Sequence, residues 1–177
     1  LSLWNVHVDS IASNLTVKYS EHEGIQIHHS NLTLSNCVID SNRHEGIRAV
    51  SHYSDHSDVR ITSSYIRDNG LGNYKHHALF ANGGSTFREI SNNHILRNDG
   101  DGIHSNFGVY PHSSVGNTIT DNSDDGIYVV TGDAVPPKDL TITGNFVRNN
   151  GRDGIVSSGA HLTVNEIEGN RYPISVT

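Results

Sequence analysis

The sequence predicts a right-handed parallel β-helix, a solenoid of about seven stacked coils. Two short motifs and one asparagine recur in a fixed order at intervals of about 22 residues. Apolar residues make up only 34% of the 177 residues. A narrow solenoid core needs only one or two inward side chains per short strand, so this apolar content is sufficient.

The first motif is an acidic residue followed by glycine and isoleucine. It occurs at Glu23-Gly24-Ile25, Glu45-Gly46-Ile47, Asp101-Gly102-Ile103, Asp125-Gly126-Ile127 and Asp153-Gly154-Ile155. Two altered copies, His77-Ala78-Leu79 and Tyr172-Pro173-Ile174, occupy the same position. Successive apolar residues of the motif are separated by 22, 32, 24, 24, 28 and 19 positions. Glycine before each strand permits the backbone angles of a tight turn.

The second motif is an apolar triplet, as in Leu32-Thr33-Leu34 and Leu140-Thr141-Ile142. The asparagine stands four residues before the glycine, at positions Asn42, Asn98, Asn122 and Asn150, with Asn69 as its equivalent in the third coil. An apolar-x-apolar triplet is a minimal strand, and coils stacked about 4.8 Å apart pair every strand with its neighbours. Asparagine tolerates left-handed backbone, and stacked amides can form an interior ladder.

Other folds and several function classes fit the sequence poorly. No segment has the 3.6-residue apolar period of a helix, and an antiparallel sandwich would need hairpin turns. The net charge of −7 argues against a nucleic-acid partner, and no apolar run approaches the ~20 residues that cross a membrane. With one cysteine, Cys37, the chain forms no internal disulfide. We expect residues 1–177 to be one domain, a segment of a larger protein with flanking domains or a homo-oligomer that covers the open ends.

Side chains at the middle of each strand after the glycine are predicted to point outward in one column. The column reads Gln26, Arg48, Phe80, His104, Tyr128, Val156 and Ser175. Longer loops at residues 51–57, 106–112 and 131–139 and an insertion at residues 70–77 are predicted to wall a groove across coils two to five.

This groove is the candidate site for catalysis and binding. The candidate catalytic residues, which supply proton donors, proton acceptors and cations, are Arg48, Tyr74, Lys75, His76, His77 and His104. The candidate substrate-binding residues, which are aromatic, are Tyr53, Phe80, Phe107, Tyr110 and Tyr128. The alternative is a solvated polar face without chemistry.

Metal binding is a further expectation. The densest acidic spot, Asp121, Asp124 and Asp125, offers the oxygen ligands that Ca²⁺ prefers, although no cofactor is required. The acidic residues of the first motif form an acidic column, Glu23, Glu45, Asp101, Asp125 and Asp153. The alternative is that each of these carboxylates accepts backbone N–H groups within its own turn. His22, His44 and His76 share one slot on successive coils, and three stacked imidazoles suit Zn²⁺ or Cu²⁺.

The pattern Asn-x-[Ile/Val]-x-x-Asn-x-x-Asp-Gly-Ile, found at residues 93–103 and 145–155, resembles the repeat of carbohydrate-active β-helix proteins. Over residues 14–176 the chain looks most like mannuronan C5-epimerases and related polysaccharide lyases. The resemblance implies an extracellular or cell-surface protein whose partner is an anionic polysaccharide. It also implies C5-epimerisation or β-elimination. The Asp-Pro-His motif of that family is absent here, and residues 53–56 and 74–77 are only partial echoes of it.

The resemblance leaves two functions open. In an enzyme, Arg48 or Lys75 would neutralise the uronate carboxylate and His76, His77 or His104 would take the C5 proton. Tyr74 or Tyr128 would then return a proton. The alternative is a non-catalytic polysaccharide-binding module, as in an adhesin or tail spike, in which the aromatic residues stack on sugars.

Overall fold

The computed structural model describes residues 1–4, 9–51, 57–71, 74–106, 113–130 and 140–176. These residues form 22 β-strands in three sheets, and every pairing between neighbouring strands is parallel. No helix in this part of the chain is long and apolar enough to cross a membrane. Sheets of eight, seven and seven strands agree with the predicted stack of about seven coils.

Sheet 1 contains the strands that follow the acidic-Gly-Ile turns. Its members in stacking order are β1 (Ser2–Trp4), β4 (Ile25–His28), β7 (Ile47–Val50), β10 (Leu79–Asn82), β13 (Ile103–Asn106), β16 (Ile127–Val130), β19 (Asp153–Ser157) and β22 (Tyr172–Val176). Each strand lies one coil from the next, so sheet 1 extends along the whole solenoid.

Sheet 2 contains the strands of the second apolar motif. They are β2 (Ser10–Ser13), β5 (Leu32–Ser35), β8 (Asp58–Thr62), β11 (Thr86–Ser91), β14 (Ser113–Val115), β17 (Thr141–Thr143) and β20 (His161–Thr163). Sheet 3 consists of three-residue strands between sheet 2 and the next turn. They are β3 (Thr16–Lys18), β6 (Val38–Asp40), β9 (Tyr65–Arg67), β12 (His94–Leu96), β15 (Thr118–Thr120), β18 (Phe146–Arg148) and β21 (Glu166–Glu168).

The hydrophobic core is a stack of mainly aliphatic side chains from all three sheets, with Phe87 as a buried aromatic member. In β4, Ile25 and Ile27 are fully buried while Gln26 is only half-buried, the alternation expected of a strand with one inward face. The strand register places Ile25 beside Ile47, and Ile103 beside both Leu79 and Ile127. Like residues therefore stack on like residues from coil to coil.

A ladder of asparagine amides runs along the corner between sheets 3 and 1, as predicted. The Nδ2 group of each asparagine donates to Oδ1 of the next across 2.9–3.0 Å, through Asn42, Asn69, Asn98, Asn122, Asn150 and Asn170. The same Oδ1 also accepts the backbone N–H of the preceding asparagine, as at Asn98 and Asn122 (3.1 Å). These buried amides therefore satisfy their own hydrogen bonds by joining one coil to the next.

A second ladder, which the sequence pattern did not predict, runs along the corner between sheets 2 and 3. It joins Asn93, Asn117, Asn145 and Asn165 through Nδ2–Oδ1 bonds of 2.9–3.1 Å. In the coil before Asn93 the ladder position holds Ser64, whose backbone N–H donates to Asn93 Oδ1.

Left-handed backbone occurs one residue before the ladder asparagines, and not at them. The residues in this conformation before the first ladder, with φ between 53° and 59°, are Ser41, Asp68, Arg97, Asp121 and Asn149. The ladder asparagines thus contribute their side-chain amides to the hydrogen bonds between coils, and the residue before each of them forms the bend in the backbone.

The glycines of the acidic-Gly-Ile motif pack closely against this ladder. A Cβ at Gly24 would lie 2.7 Å from Asn42 Nδ2 and 2.7 Å from the carbonyl oxygen of Gly46. Real Cβ atoms do not approach so closely, so a side chain at Gly24 would require Asn42 or the backbone of the next coil to shift.

We predict that Asn98→Ala lowers the free energy of unfolding by about 2–4 kcal/mol. The change leaves the backbone N–H and side-chain amide of Asn69 without their buried acceptor. Urea unfolding followed by circular dichroism measures the loss. Gln26→Ala, on the outward face of β4, is the control and should change stability by less than about 0.5 kcal/mol. Equal effects of the two changes would contradict a stabilising role of the ladder.

Candidate functional site

The outward column of sheet 1 has the register that the sequence predicted. Gln26 pairs with Arg48, Arg48 with Phe80, Phe80 with His104, His104 with Tyr128, and Tyr128 with Val156. The predicted outward residues are half-buried except Val156, which is 5% exposed and lies outside the core cluster of the described residues. The column therefore brings candidate residues from four successive coils side by side.

His104 of the outward column makes a short polar contact with Asp101 in the preceding turn. His104 Nδ1 lies 2.6 Å from Asp101 Oδ2, and only 15% and 5% of their side chains are exposed. His104 Nε2 lies 2.7 Å from the side-chain nitrogen of Asn106, which donates to it. Neutral His104 therefore carries its proton on Nδ1 and presents Nε2 as an acceptor.

His77 completes this group from the preceding coil. Its Nδ1 lies 3.0 Å from the backbone nitrogen of Asp101 and 3.2 Å from Asp101 Oδ2. A neutral His77 accepts the backbone N–H at Nδ1 and presents Nε2–H as a donor, whereas a protonated His77 donates to the carboxylate. His77 and His104 thus offer a donor and an acceptor on adjacent coils.

The carboxyl group of Asp101 is held in its ionised form. Burial alone would raise its pKa, but hydrogen bonds with His104 and His77, the charge of His77 and the backbone N–H of Asp125 lower the pKa to about 2. Asp101 can therefore orient His104 and stabilise its imidazolium form.

Aromatic rings cover both sides of this histidine pair. The ring centroids of His77 and His104 are 4.2 Å apart, and those of His104 and Tyr128 are 4.7 Å apart with an interplanar angle of 12°. Phe80 stacks on His77 at 5.5 Å. Because the rings face one another along the solenoid axis, their edges rather than their faces are directed away from the sheet.

The remaining candidate catalytic residues lie around this centre without joining it. Arg48 Nη1 is 3.6 Å from Glu23 Oε1, and His76 Nδ1 is 3.2 Å from Glu45 Oε1. Tyr74 packs on His76 with their centroids 6.2 Å apart. Lys75, in left-handed backbone at φ 54°, reaches across to Asp124 Oδ2 at 3.1 Å.

The acidic cluster differs in membership from the sequence prediction. Asp124 and Asp125 lie with Asp101, and one carboxylate oxygen from each of the three falls within 4.8 Å of the others. Asp121 instead lines a shallow surface depression of about 380 Å³ together with Asp68, Arg97 and Asp99. Lys75 and Arg152 both contact Asp124, at 3.1 and 3.4 Å, so protein cations already neutralise part of the cluster. Calcium binding there stays a prediction.

Asp101 and Asp125 accept backbone N–H groups from the next coil rather than from their own turn. Asp101 Oδ1 accepts from Asp125 N at 2.7 Å, and Asp125 Oδ1 accepts from Asp153 N at 2.8 Å. His77, which replaces the acid one coil earlier, accepts the backbone N–H of Asp101 at its Nδ1 atom in the same way. These carboxylates therefore act as rungs between coils.

Asp125 is the member of the acidic column whose ionisation is disfavoured by its surroundings. Burial, together with the charges of Asp101 and Asp124, raises its pKa to about 6, against the lowering effect of the Asp153 N–H and of Arg152.

Three predicted substrate-binding residues, Tyr53, Phe107 and Tyr110, lie outside the described residues, as do most of the loops predicted to wall a groove. Two residues that the sequence prediction did not assign to the catalytic site, Asp101 and Asn106, contact His104 directly. Asp101 and His104, three residues apart, could both be recognised in the repeat. Only the geometry of the turn shows that they meet.

The fold and this cluster define the class of protein: a parallel β-solenoid that carries a histidine–carboxylate centre on the outward face of one sheet. A family model described as "Right handed beta helix region" matches residues 3–114 and 89–177. The chain therefore belongs to the right-handed β-helix family, in agreement with the predicted fold. Neither the curated proteins nor the solved structures contain a match to the chain.

We predict that Asp125→Asn stabilises the protein above pH 6 and has little effect below pH 4. A raised pKa means that the folded state holds the Asp125 proton more tightly than the unfolded state, so stability falls as pH rises from about 4 to about 6. The asparagine keeps an acceptor for Asp153 N and removes the charge. A shift of about two units corresponds to a gain of up to about 3 kcal/mol at pH 7.

Urea unfolding of both proteins between pH 4 and pH 8 measures this difference, and subtraction removes the titration of the histidines. Asp101→Asn serves as the opposite case, because its lowered pKa means that its ionised form stabilises the fold above about pH 4. A difference between the native protein and Asp125→Asn that is independent of pH would contradict the assignment.

Proposed function

We propose that this protein is a carbohydrate-active β-helix that binds an anionic, uronic-acid polysaccharide along the outward face of sheet 1. The proposed reaction begins with removal of the sugar's C5 proton and ends in C5-epimerisation or β-elimination. The observation that carries the proposal is the 2.6 Å contact between Asp101 and His104, in the middle of a column of aromatic and cationic side chains.

His104 is the proposed general base. Its Nδ1–H donates to Asp101, so the lone pair on Nε2 is directed away from the carboxylate. The Asn106 amide occupies that lone pair at 2.7 Å, and a substrate C–H group would have to displace it. Asp101 would stabilise the imidazolium formed when His104 takes the proton.

His77 and the nearby cations are the proposed partners of the sugar carboxylate. Removal of a proton beside a carboxylate becomes easier when donors neutralise the charge that develops on its oxygens. Neutral His77 presents Nε2–H one coil from His104, and Arg48 lies a further coil away in the column. Lys75 crosses to Asp124 beside the same centre.

Tyr128 is the preferred proton donor for the second step. The ring centroids of Tyr128 and His104 are 4.7 Å apart, whereas Tyr74 packs on His76 and not on His104. Return of a proton to C5 from the opposite face would give the epimer. Transfer of a proton to the leaving oxygen would give the unsaturated elimination product.

The local charge counts against an anionic ligand. Glu23, Glu45, Asp101, Asp124 and Asp125 outnumber the cations Arg48, Lys75 and Arg152 around the centre. Tests therefore need neutral polymers beside the uronic-acid polymers.

A second function, non-catalytic polysaccharide binding, is favoured by one specific feature. The His104 ring is packed between His77 and Tyr128, and Asn106 donates a hydrogen bond to Nε2, the ring nitrogen that does not face Asp101. Such an enclosed imidazole also suits a rigid binding surface. Sugars would then contact ring edges and polar groups rather than stack on ring faces.

We expect the purified protein to introduce deuterium at C5, or to form an unsaturated product, with at least one uronic-acid polymer in D₂O. His104→Gln should lower this turnover by about 10²–10⁴-fold, the usual loss when a general base is removed. Proton NMR and ultraviolet absorbance measure the two products. The panel includes uncharged glucans and mannans.

His94→Gln is a matched control, because His94 on sheet 3 stacks on Tyr65 at 4.7 Å much as His104 stacks on Tyr128. It should leave turnover unchanged. Binding of a polymer without turnover by the native protein would favour the second function. Turnover that survives in His104→Gln would exclude His104 as the base.

A further inference from the structure

A separate group of imidazole and carboxylate side chains lies on the first three coils, before the coils that carry Asp101 and His104. The slot before each glycine carries the dipeptides His22-Glu23 and His44-Glu45, and the third coil carries His76-His77. One ligand atom each from Glu23, His44 and Glu45 lies within 4.8 Å of the other two, and all three side chains are half-buried. This group takes no part in the proposed proton transfer.

The backbone holds these three residues in a fixed relation. Gly24 N donates to Glu45 O at 3.0 Å, and His44 N donates to His22 O at 3.3 Å. The adjacent glycines, Gly24 and Gly46, pack against the asparagine ladder too closely to accept a Cβ. The backbone that carries the donor atoms is therefore hydrogen-bonded between coils and closely packed, as a preorganised site requires.

Neighbouring side chains orient the donors as outer partners orient metal ligands. His76 Nδ1 lies 3.2 Å from Glu45 Oε1, and its ring stacks on His44 with centroids 4.5 Å apart. Arg48 Nη1 lies 3.6 Å from Glu23 Oε1. Contacts of this kind fix carboxylate and imidazole rotamers around bound metals.

The donor set identifies the class of ion. One oxygen of each carboxylate lies within 4.8 Å of the other, so a cation between them would lower their mutual repulsion. An imidazole nitrogen with two carboxylate oxygens suits Zn²⁺ better than Ca²⁺ or Mg²⁺, which prefer all-oxygen sites. Zinc bonds of about 2.0–2.2 Å place ligand atoms at most about 4 Å apart, so small side-chain rotations would close the site.

We propose that Glu23, His44 and Glu45 form a three-residue Zn²⁺ site, with the fourth position open to water or a ligand. His76 positions Glu45, and Arg48 positions Glu23. The proposal does not depend on the function of the Asp101–His104 centre.

Isothermal titration of the tag-free protein with ZnCl₂ at pH 7.5 tests the site. We expect one ion per chain, and His44→Gln and Glu45→Gln should each weaken binding by at least about tenfold, because even outer-shell changes cost about 10–100-fold. Co²⁺ in place of Zn²⁺ should give visible absorption bands that His44→Gln abolishes. Thermal unfolding without metal confirms that each variant is folded.

Glu21→Gln is the matched control, because Glu21 lies in the same turn, pairs with Arg43 at 3.0 Å and is outside the ligand group. It should bind Zn²⁺ as the native protein does. His104→Gln separates this site from the other histidine–carboxylate group, His77, Asp101 and His104. The proposal fails if the native protein binds no zinc at millimolar concentration. It also fails if His104→Gln, and not His44→Gln, removes the binding.

Discussion

The hydrogen bond from one asparagine amide to the next is the constraint on which the described structure depends. Each link joins side chains 20–29 residues apart in sequence, as between Asn150 and Asn170 or Asn69 and Asn98. A buried amide that lost its partner would cost free energy, so a shift of one coil by a single residue is strongly disfavoured. The ladders therefore set the register, and the register determines which outward side chains become neighbours.

Much of this architecture could be predicted from the sequence, because it repeats. The Asp-Gly-Ile turns and the apolar triplets identified the strands of sheets 1 and 2 and the order of the outward column, whereas the three-residue strands of sheet 3 were not predicted. The second ladder was missed because its asparagines occupy only the later coils, and Ser64 holds the same position in the coil before Asn93. The bend before each ladder residue was missed because Ser41, Arg97 and Asp121 have nothing in common except their left-handed backbone.

The candidate site was predicted in part, and for a physical reason. Register alone placed Arg48, Phe80, His104 and Tyr128 side by side, since strands in a parallel stack repeat without offset. Contacts across a turn are different, because they depend on side-chain rotamers that no spacing encodes. The short bond between Asp101 and His104, the amide of Asn106 on Nε2 and the exchange of Asp121 for Asp101 in the acidic cluster all belong to this second class.

Asp101 connects the structural and the chemical roles of the column. Its Oδ1 accepts the backbone N–H of Asp125 and so continues the rungs between coils, while its Oδ2 faces His104 and His77. The substitution of histidine for an acid at position 77 removes a neighbouring negative charge and supplies an imidazole to the same oxygen. The altered copy of the repeat at position 77 thus places an imidazole, which can donate and accept hydrogen bonds, in a slot that holds a carboxylate in the neighbouring coils. The backbone on either side of this position is closely packed. A Cβ at Gly100 would lie only 2.8 and 2.9 Å from the carbonyl oxygens of Lys75 and His76. The segment that carries His77 therefore packs closely against the coil that carries Asp101, and the contact between these two residues follows from the same stacking that builds the fold.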